Sequence, residues 1–231
     1  MKIFKGFIEI ITTADYLTPV LSGLRLTLII TVFSALIGFA LGLIIAMVKI
    51  SADNSKAIKV LAKICDIYIA VIRGTPIALQ LFIMSFAIFA IRGFPLEITA
   101  ILTFGLNSSA YVAENIRAGI MSVDKGQTEA GRALGLTYNK TLFKIVIPQA
   151  VKNIIPTIGN EFIALVKETS IVSMVGLVDL TFAAKIVGSG QNMASYIVPM
   201  LFVAIFYLAI VYIITMIIRL LERRMKRSDK R

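Results

Sequence analysis

Two carboxylates sit where charge is expensive, and any binding chemistry must be argued from them first. Glu161, with Lys167 and Glu168 further on, interrupts the apolar stretch from Ile154 to about Val178, and Glu114 follows the uncharged run Ile98–Ala113. An ionisable group in a bilayer costs about 2.5–3.5 kcal/mol on insertion scales, so such residues mark ligand or ion paths. At helical spacing, Asn107, Tyr111 and Glu114 stack on one face. Thr157, Asn160, Glu161, Ala164 and Glu168 form a second polar stripe. Two such stripes face each other or a water-filled path, and a cavity lined by carboxylates suits a cationic ligand. For Glu114 an interfacial ion pair with Arg117, its i+3 neighbour, weighs equally. Glu161 has no basic residue three or four positions away on its own helix, which favours a binding role.

A cationic ligand with a carboxylate also needs donors. Gly74 loosens the chain and Pro76 removes a helical hydrogen bond, so backbone N–H groups around Thr75 and Pro76 are candidates, with Thr75 and Gln80 adding side-chain donors. A plain helix start, Thr75 as N-cap and Pro76 at the first helical position, is compatible with that role. Lys167, Glu168, Thr169 and Ser170 are candidates for a gate or outer mouth. Adjacent residues on a helix point apart, so Lys167 and Glu168 are not natural partners for each other.

Much other chemistry is excluded. The 231 residues include no histidine and a single cysteine, Cys65. Imidazole acid–base pairs, Ser-His-Asp triads, His metal ligands and internal disulfides therefore drop out. Gly126–Ala133 reads GQTEAGRA, with the glycine spacing of a phosphate loop but neither its Lys-Ser/Thr ending nor a preceding strand. The expectation is no catalytic residue, no metal site and no cofactor bound by this chain.

These residues must be positioned by membrane helices. Hydrophobic residues make up 58% of the chain and charged residues 16%, and the mean hydropathy is +0.89, too apolar for a soluble domain of this length. A bilayer-crossing helix needs about 20 apolar residues. Uncharged runs occur at Leu26–Val48, Gly74–Ile91, Ile98–Ala113 and within 186–218, where Tyr196–Ile218 is densest. With the interrupted Ile154–Val178 stretch, these make five spans. The start of the chain reads as a retained first helix rather than a cleaved signal, because the apolar run is too long and lacks a small-residue cleavage site. Residues 3–11, IFKGFIEII, read as an amphipathic segment at the interface.

The net charge of +11 could suggest nucleic acid, but 17 of the 24 basic residues fall in the loop 49–63, the segment 117–152 and the tail from Arg219. That asymmetry places those segments in the cytoplasm. The expected fold is an all-α integral membrane protein, N-terminus outside and C-terminus inside, with a cytoplasmic helix pair between the third and fourth spans. One transmembrane domain fills 1–231: an interfacial segment 1–19, a five-helix core 20–222 containing the loop 123–148, and a basic tail 223–231.

In that loop, Val123–Leu134 reads as a helix, Gly135 as its left-handed C-terminal cap, and Thr137 as the cap of a second helix from Tyr138 that Pro148 closes. Its apolar stripe, Leu142, Ile145 and Val146, needs a cover, either a partner or the chain's own membrane helices. In the first span Gly38 and Gly42, with Ser34 a turn earlier, permit close helix contact, read as packing within the bundle rather than as a dimer seam.

Residues 126–150, GQTEAGRALGLTYNKTLFKIVIPQA, resemble the EAA loop of ABC-importer permeases, with Glu129, Ala130 and Gly135 at its core. RGTP at Arg73–Pro76, NSSAYVAENIRAGI at Asn107–Ile120, KETSIVS at Lys167–Ser173 and SGLRLTL at Ser22–Leu28 resemble the polar amino-acid permeases, in order along residues 20–220. Gly131 departs from the alanine usual in the family. The resemblance implies two permeases, the second being the same chain or a paralogue, on two ABC ATPase subunits that carry ATP and Mg. An extracytoplasmic amino-acid-binding protein would supply the cargo, with no nucleic acid involved. Glu129, Ala130, Gly131, Gly135 and Leu136 would dock on the ATPase, in a bacterial-type cytoplasmic membrane crossed several times. Combined with the carboxylates, the cargo reads as a basic amino acid: arginine, lysine or histidine. An ion-gradient-driven secondary transporter is the alternative; five spans give it no inverted repeat.

Overall fold

Long uninterrupted apolar stretches cannot leave backbone groups unpaired in lipid, and the chain answers with helices. The computed structural model describes residues 2–52, 55–189 and 197–227, and among them there is no strand. The helices are α1 (Lys2–Thr12), α2 (Ala14–Ile50), α3 (Lys56–Gly74), α4 (Ile77–Ile83), α5 (Leu96–Met121) and α6 (Lys125–Ala133). They continue with α7 (Tyr138–Thr141), α8 (Ile147–Glu168), α9 (Leu180–Ser189) and α10 (Ile197–Arg227). π-Turns at Met84–Ile88 and Leu142–Val146 extend α4 and α7, and a 3-10 turn at Thr169–Val175 follows α8. Tyr196 and residues 228–231, within the expected last span and tail, lie outside the described residues.

Among the described residues, α2 and α10 are long and apolar enough to cross a membrane. Two bent pairs qualify if each is one span: Lys56–Gly74 with Ile77–Ile88, bent by 105°, and Tyr138–Val175 with Leu180–Ser189, bent by 49°. The expected third span, α5, has 26 residues, but Thr99, Thr103, Asn107, Ser108 and Ser109 make it polar, and all five are buried.

Three sequence expectations are corrected. The uncharged run Gly74–Ile91 does not form one straight helix: α3 starts at Lys56, so part of the expected loop 49–63 is helical, and the chain turns sharply at Thr75-Pro76. Pro76 lacks an N–H and bars helical geometry at Thr75, which explains the break. The first long helix also starts earlier than residue 20, because α2 begins at Ala14 and runs through Pro19. So early in a helix the proline removes a single backbone bond. Nor does Pro148 close the second coupling helix, which continues into α8. The Leu142–Val146 π-turn passes the Ile147 N–H to the Leu142 carbonyl, and this wider register lets a proline follow without ending the helix.

The chain divides into two compact units, Met1–Ile37 with Thr75–Leu106 and Ile163–Ile213, and Gly38–Gly74 with Asn107–Phe162 and Ile214–Arg231. In the first, one core gathers Ile10, Val20, Leu180, Val187 and Phe202. Phe7 meets Phe202 edge to face at 5.6 Å, so the apolar face of α1 is anchored while Ile3, Phe4, Ile8 and Ile11 stay exposed. A second core joins Ile30, Leu81, Phe104, Leu165 and Val172. In the second unit, Ala46, Val112, Ile116, Ala150 and Ile154 pack together, beside Ile69, Ala110 and Ala113. A Cβ at Gly42 would lie 2.7 Å from Val112, so this glycine packs inside the chain's own bundle, as expected.

Candidate functional site

The segment 123–148, expected to meet an ATPase, lies in the second unit and is built from caps. Asp124 accepts the Gly126 N–H at 2.6 Å and caps α6, which begins at Lys125, two residues later than expected. Gly135 follows with φ +80°, and its N–H reaches the Arg132 carbonyl at 3.0 Å while the Leu136 N–H reaches Gly131 at 3.2 Å. A left-handed residue after a helix closes its last turn in this way, at no steric cost to glycine. Thr137 then caps α7 through the Lys140 N–H at 3.4 Å. The result is a tight corner between two short helices. Gly131 is buried against Thr141 and Ile145, which explains the departure from alanine.

On this corner Glu129, Ala130 and Gly135 are exposed and Leu136 is half-buried. Leu134 is 81% exposed, an apolar side chain with nothing from its own chain over it. Gln149 donates to Gln127 at 3.1 Å and Asn153 to the Ser122 hydroxyl at 2.8 Å. Side-chain amide hydrogen bonds thus tie the N-terminal part of the corner to α8.

The polar residues of α5 are engaged. Asn107 is buried, and the Arg73 guanidinium lies over the Tyr111 ring, 5.2 Å from its centroid. Tyr68 and Ser109 hydroxyls meet at 2.7 Å. Glu114 binds Arg117, with Nε at 2.9 Å and Nη2 closer still, and also Lys49 at 3.4 Å. Lys49 in turn holds Asp66 at 2.9 Å. Of the two readings of Glu114, the geometry favours the structural ion pair, because two cations already neutralise it. Glu114–Arg117 was legible at i+3; Lys49 and Asp66 join it from distant positions that leave no local signal.

The stripe on α8 differs. Glu161 is half-buried, whereas Thr157, Asn160 and Lys167 are exposed, as is Asn153 one turn earlier. By contrast α2 exposes Leu28, Val32, Phe33, Leu36 and Leu43. The α8 stripe is thus the more open of the two, since Asn107 of the α5 stripe is buried and Tyr111 and Glu114 are half-buried.

In the first unit, Gln80 donates to Thr75, to the hydroxyl at 2.8 Å and to the carbonyl at 3.1 Å. Pro76 occupies the N-cap position of α4, without a side-chain cap. The expectation of a Thr75 cap with Pro76 inside the helix is corrected, since Thr75 is engaged by Gln80 instead. Thr169 and Ser170 hydroxyls turn back on the Val166 and Lys167 carbonyls, at 2.7 and 2.8 Å. Lys167 is exposed and Glu168 half-buried, consistent with adjacent helical residues pointing apart.

One residue was missed. Asp179 is fully buried and caps α9, accepting the Thr181 and Phe182 N–H groups at 3.0 and 2.9 Å and the Tyr207 hydroxyl at 3.2 Å. An aspartate just before an apolar helix is a readable cap.

Comparison with known proteins agrees with this architecture. Residues 38–227 match the family described as "Binding-protein-dependent transport system inner membrane component". The arginine transport system permease protein ArtQ of Bacillus subtilis (strain 168) is 41% identical over 91% of this chain and 94% of its own. The putative glutamine transport system permease protein GlnP of Rickettsia bellii (strain RML369-C) is 38% identical over 89% and 92%. A crystal structure of an amino acid ABC transporter with histidines superposes with a TM-score of 0.80 and 39% identity, covering 92% of this chain and 100% of that one. A capped, exposed helical corner and a long helix α5 with buried polar residues thus occur in a chain that belongs to the inner-membrane components of binding-protein-dependent transport systems.

Proposed function

We propose that the chain is the permease subunit of an ATP-binding-cassette importer for a basic amino acid. The observation that carries this reading is the α6–Gly135–α7 corner, whose exposed Glu129, Ala130 and Leu134 offer a small rigid surface to an ATPase. Gly131 and Leu136 back that surface from inside. A corner joined to two membrane helices acts as a lever, so ATP-driven closure of the partner becomes opening on alternate sides. The chain crosses the membrane five times, N-terminus outside and C-terminus inside, in the cytoplasmic membrane of a bacterium. ATP and Mg belong to the ATPase subunits, and this chain binds no cofactor. A binding protein delivers cargo, and a second permease, the same chain or a paralogue, completes the path.

The polar face of α8 supports a shared path, because Asn153, Thr157 and Asn160 would be costly against lipid. Glu161 carries the cation preference, with Asn160 beside it, while Thr75, Pro76 and Gln80 remain candidates for the carboxylate end. Asn107 and Tyr111 shape the wall, and Glu114 is reassigned to the Lys49–Arg117 pair. Lys167, Glu168, Thr169 and Ser170 form the mouth. Permeases similar to this chain are named for arginine and glutamine, and a charged cargo selects between these through Glu161. Purified complex tested against arginine, lysine, histidine, glutamine and glutamate checks the assignment: saturable binding of the cations is expected, and preference for glutamine or glutamate would overturn the cargo class.

A further inference from the structure

We propose that the second unit holds a phospholipid, its acyl chain in an apolar groove beside the coupling segment and its anionic headgroup at the groove's polar end. The groove has a volume of about 360 Å³, within the ~300–1,000 Å³ typical of small-ligand sites. From α2, Phe39, Leu43 and Met47 line it at helical spacing; from α8, Val151, Ile154 and Ile158 face them. Polar lining groups are Ser51, just beyond the C-terminus of α2, with Tyr138 and Asn139 at the start of α7. Lys140 and Lys144, both exposed, follow Asn139 and Phe143 in the chain.

Length and charge identify the occupant. From Phe39 to Ser51 the helix rises about 18 Å at 1.5 Å per residue, close to one leaflet, half of the ~30 Å hydrocarbon core. Phe39, Met47 and Phe143 at the groove's rim are exposed, so its mouth is as apolar as its wall. A groove that is apolar for one leaflet and polar at one end suits a phospholipid, and the exposed Lys140 and Lys144, which do not line it but adjoin lining residues in the chain, select an anionic headgroup, since basic residues near the surface attract such headgroups. A bound chain would touch α2 and the α7–α8 segment together, making the stiffness of the coupling corner depend on bilayer composition. The inference rests on the membrane reading and not on the cargo.

The test uses the permease purified with its ATPase in nanodiscs of phosphatidylcholine, doped with phosphatidylglycerol bearing a photoreactive acyl chain. Labelling is expected to concentrate on peptides covering 39–51 and 147–158, several-fold above other lipid-facing segments, and above that from a phosphatidylcholine probe. Val151→Trp should abolish the excess by filling the groove. Lys140→Gln with Lys144→Gln should lower phosphatidylglycerol labelling roughly ten-fold while sparing the phosphatidylcholine probe. Should Val151→Trp fail to assemble, competition on the wild-type complex decides: unlabelled phosphatidylglycerol must reduce the label and unlabelled phosphatidylcholine must not. Even labelling of all apolar faces, identical labelling by both probes, or crosslinks from Phe143→Cys to a second permease or to the ATPase would overturn the proposal. Because labelling does not depend on transport, a failed cargo assignment leaves this result readable.

Discussion

A β-carbon at Gly131 would lie 2.6 Å from Cγ2 of Thr141, so α6 and α7 approach each other as closely as they do only with a hydrogen at that position. Thr141 cannot yield easily. It is β-branched and buried, and its hydroxyl bonds the Thr137 carbonyl at 3.1 Å.

Gly131→Ala should therefore destabilise the corner by about 1–3 kcal/mol through overpacking, despite the ~1 kcal/mol that alanine gains in helix propensity. Thr141→Ser removes Cγ2 and keeps the hydroxyl, so the double variant should recover most of the loss. Proteolysis between α6 and α7 in the intact complex measures this. Equal cleavage of both variants would contradict the packing argument.

Glu114→Gln leaves Lys49 paired only with Asp66, which is 58% exposed in its side chain and holds it at 2.9 Å, and takes the carboxylate away from Arg117. Thermal stability of the complex should fall by about 1–2 kcal/mol, given the partial exposure of the group. Affinity for cargo should stay within roughly two-fold, because the cations around Glu114 already occupy it. A large loss of affinity with unchanged melting would return Glu114 to the binding site.

Glu161→Gln should behave in the opposite way. Arginine uptake should fall roughly thirty-fold or more, following the ~2–5 kcal/mol lost when one member of a desolvated charge pair is truncated. Assembly with the ATPase should persist. Uptake and affinity equal to wild type would remove Glu161 from the cargo path.

Asp179→Ala deprives two backbone N–H groups and the Tyr207 hydroxyl of their acceptor. A lost cap contributes about 1–2 kcal/mol and buried donors left without a partner add to it. Asp179→Asn, which keeps an acceptor oxygen, should lose less. Melting curves of both complexes check this order, and equal melting of the alanine variant and wild type would contradict it.

Local signals were readable in the sequence where the physics is local. Gly135 and Thr137 act through neighbours within a few residues, so the helix–turn–helix corner and its glycine cap were legible, whereas the Asp124 cap, equally local, was passed over in favour of a start at Val123. Pro148 was misread because a proline alone predicts a helix end, and the π-turn that accommodates it has no marker in composition. The run Gly74–Ile91 was misread for a related reason: charge-free length cannot report the turn that Pro76 imposes. Asn107 and Asn160 look alike as polar residues in apolar surroundings, yet one is buried and the other exposed. Helical spacing places them on faces without saying what covers each face. Lys49–Glu114 and Asp179–Tyr207 depend on residues far apart in the chain, and pairings of that kind become visible only with the fold.

Gly135→Asp tests the corner as an ATPase dock most directly. Aspartate tolerates a left-handed backbone better than most side chains, so the main change is a charged group on the exposed docking surface. Membrane insertion should be normal, while co-purification of the ATPase and binding-protein-stimulated ATP hydrolysis should both fall at least roughly ten-fold, the effect of about 1.4 kcal/mol. Undiminished co-purification together with undiminished stimulated hydrolysis would contradict the account.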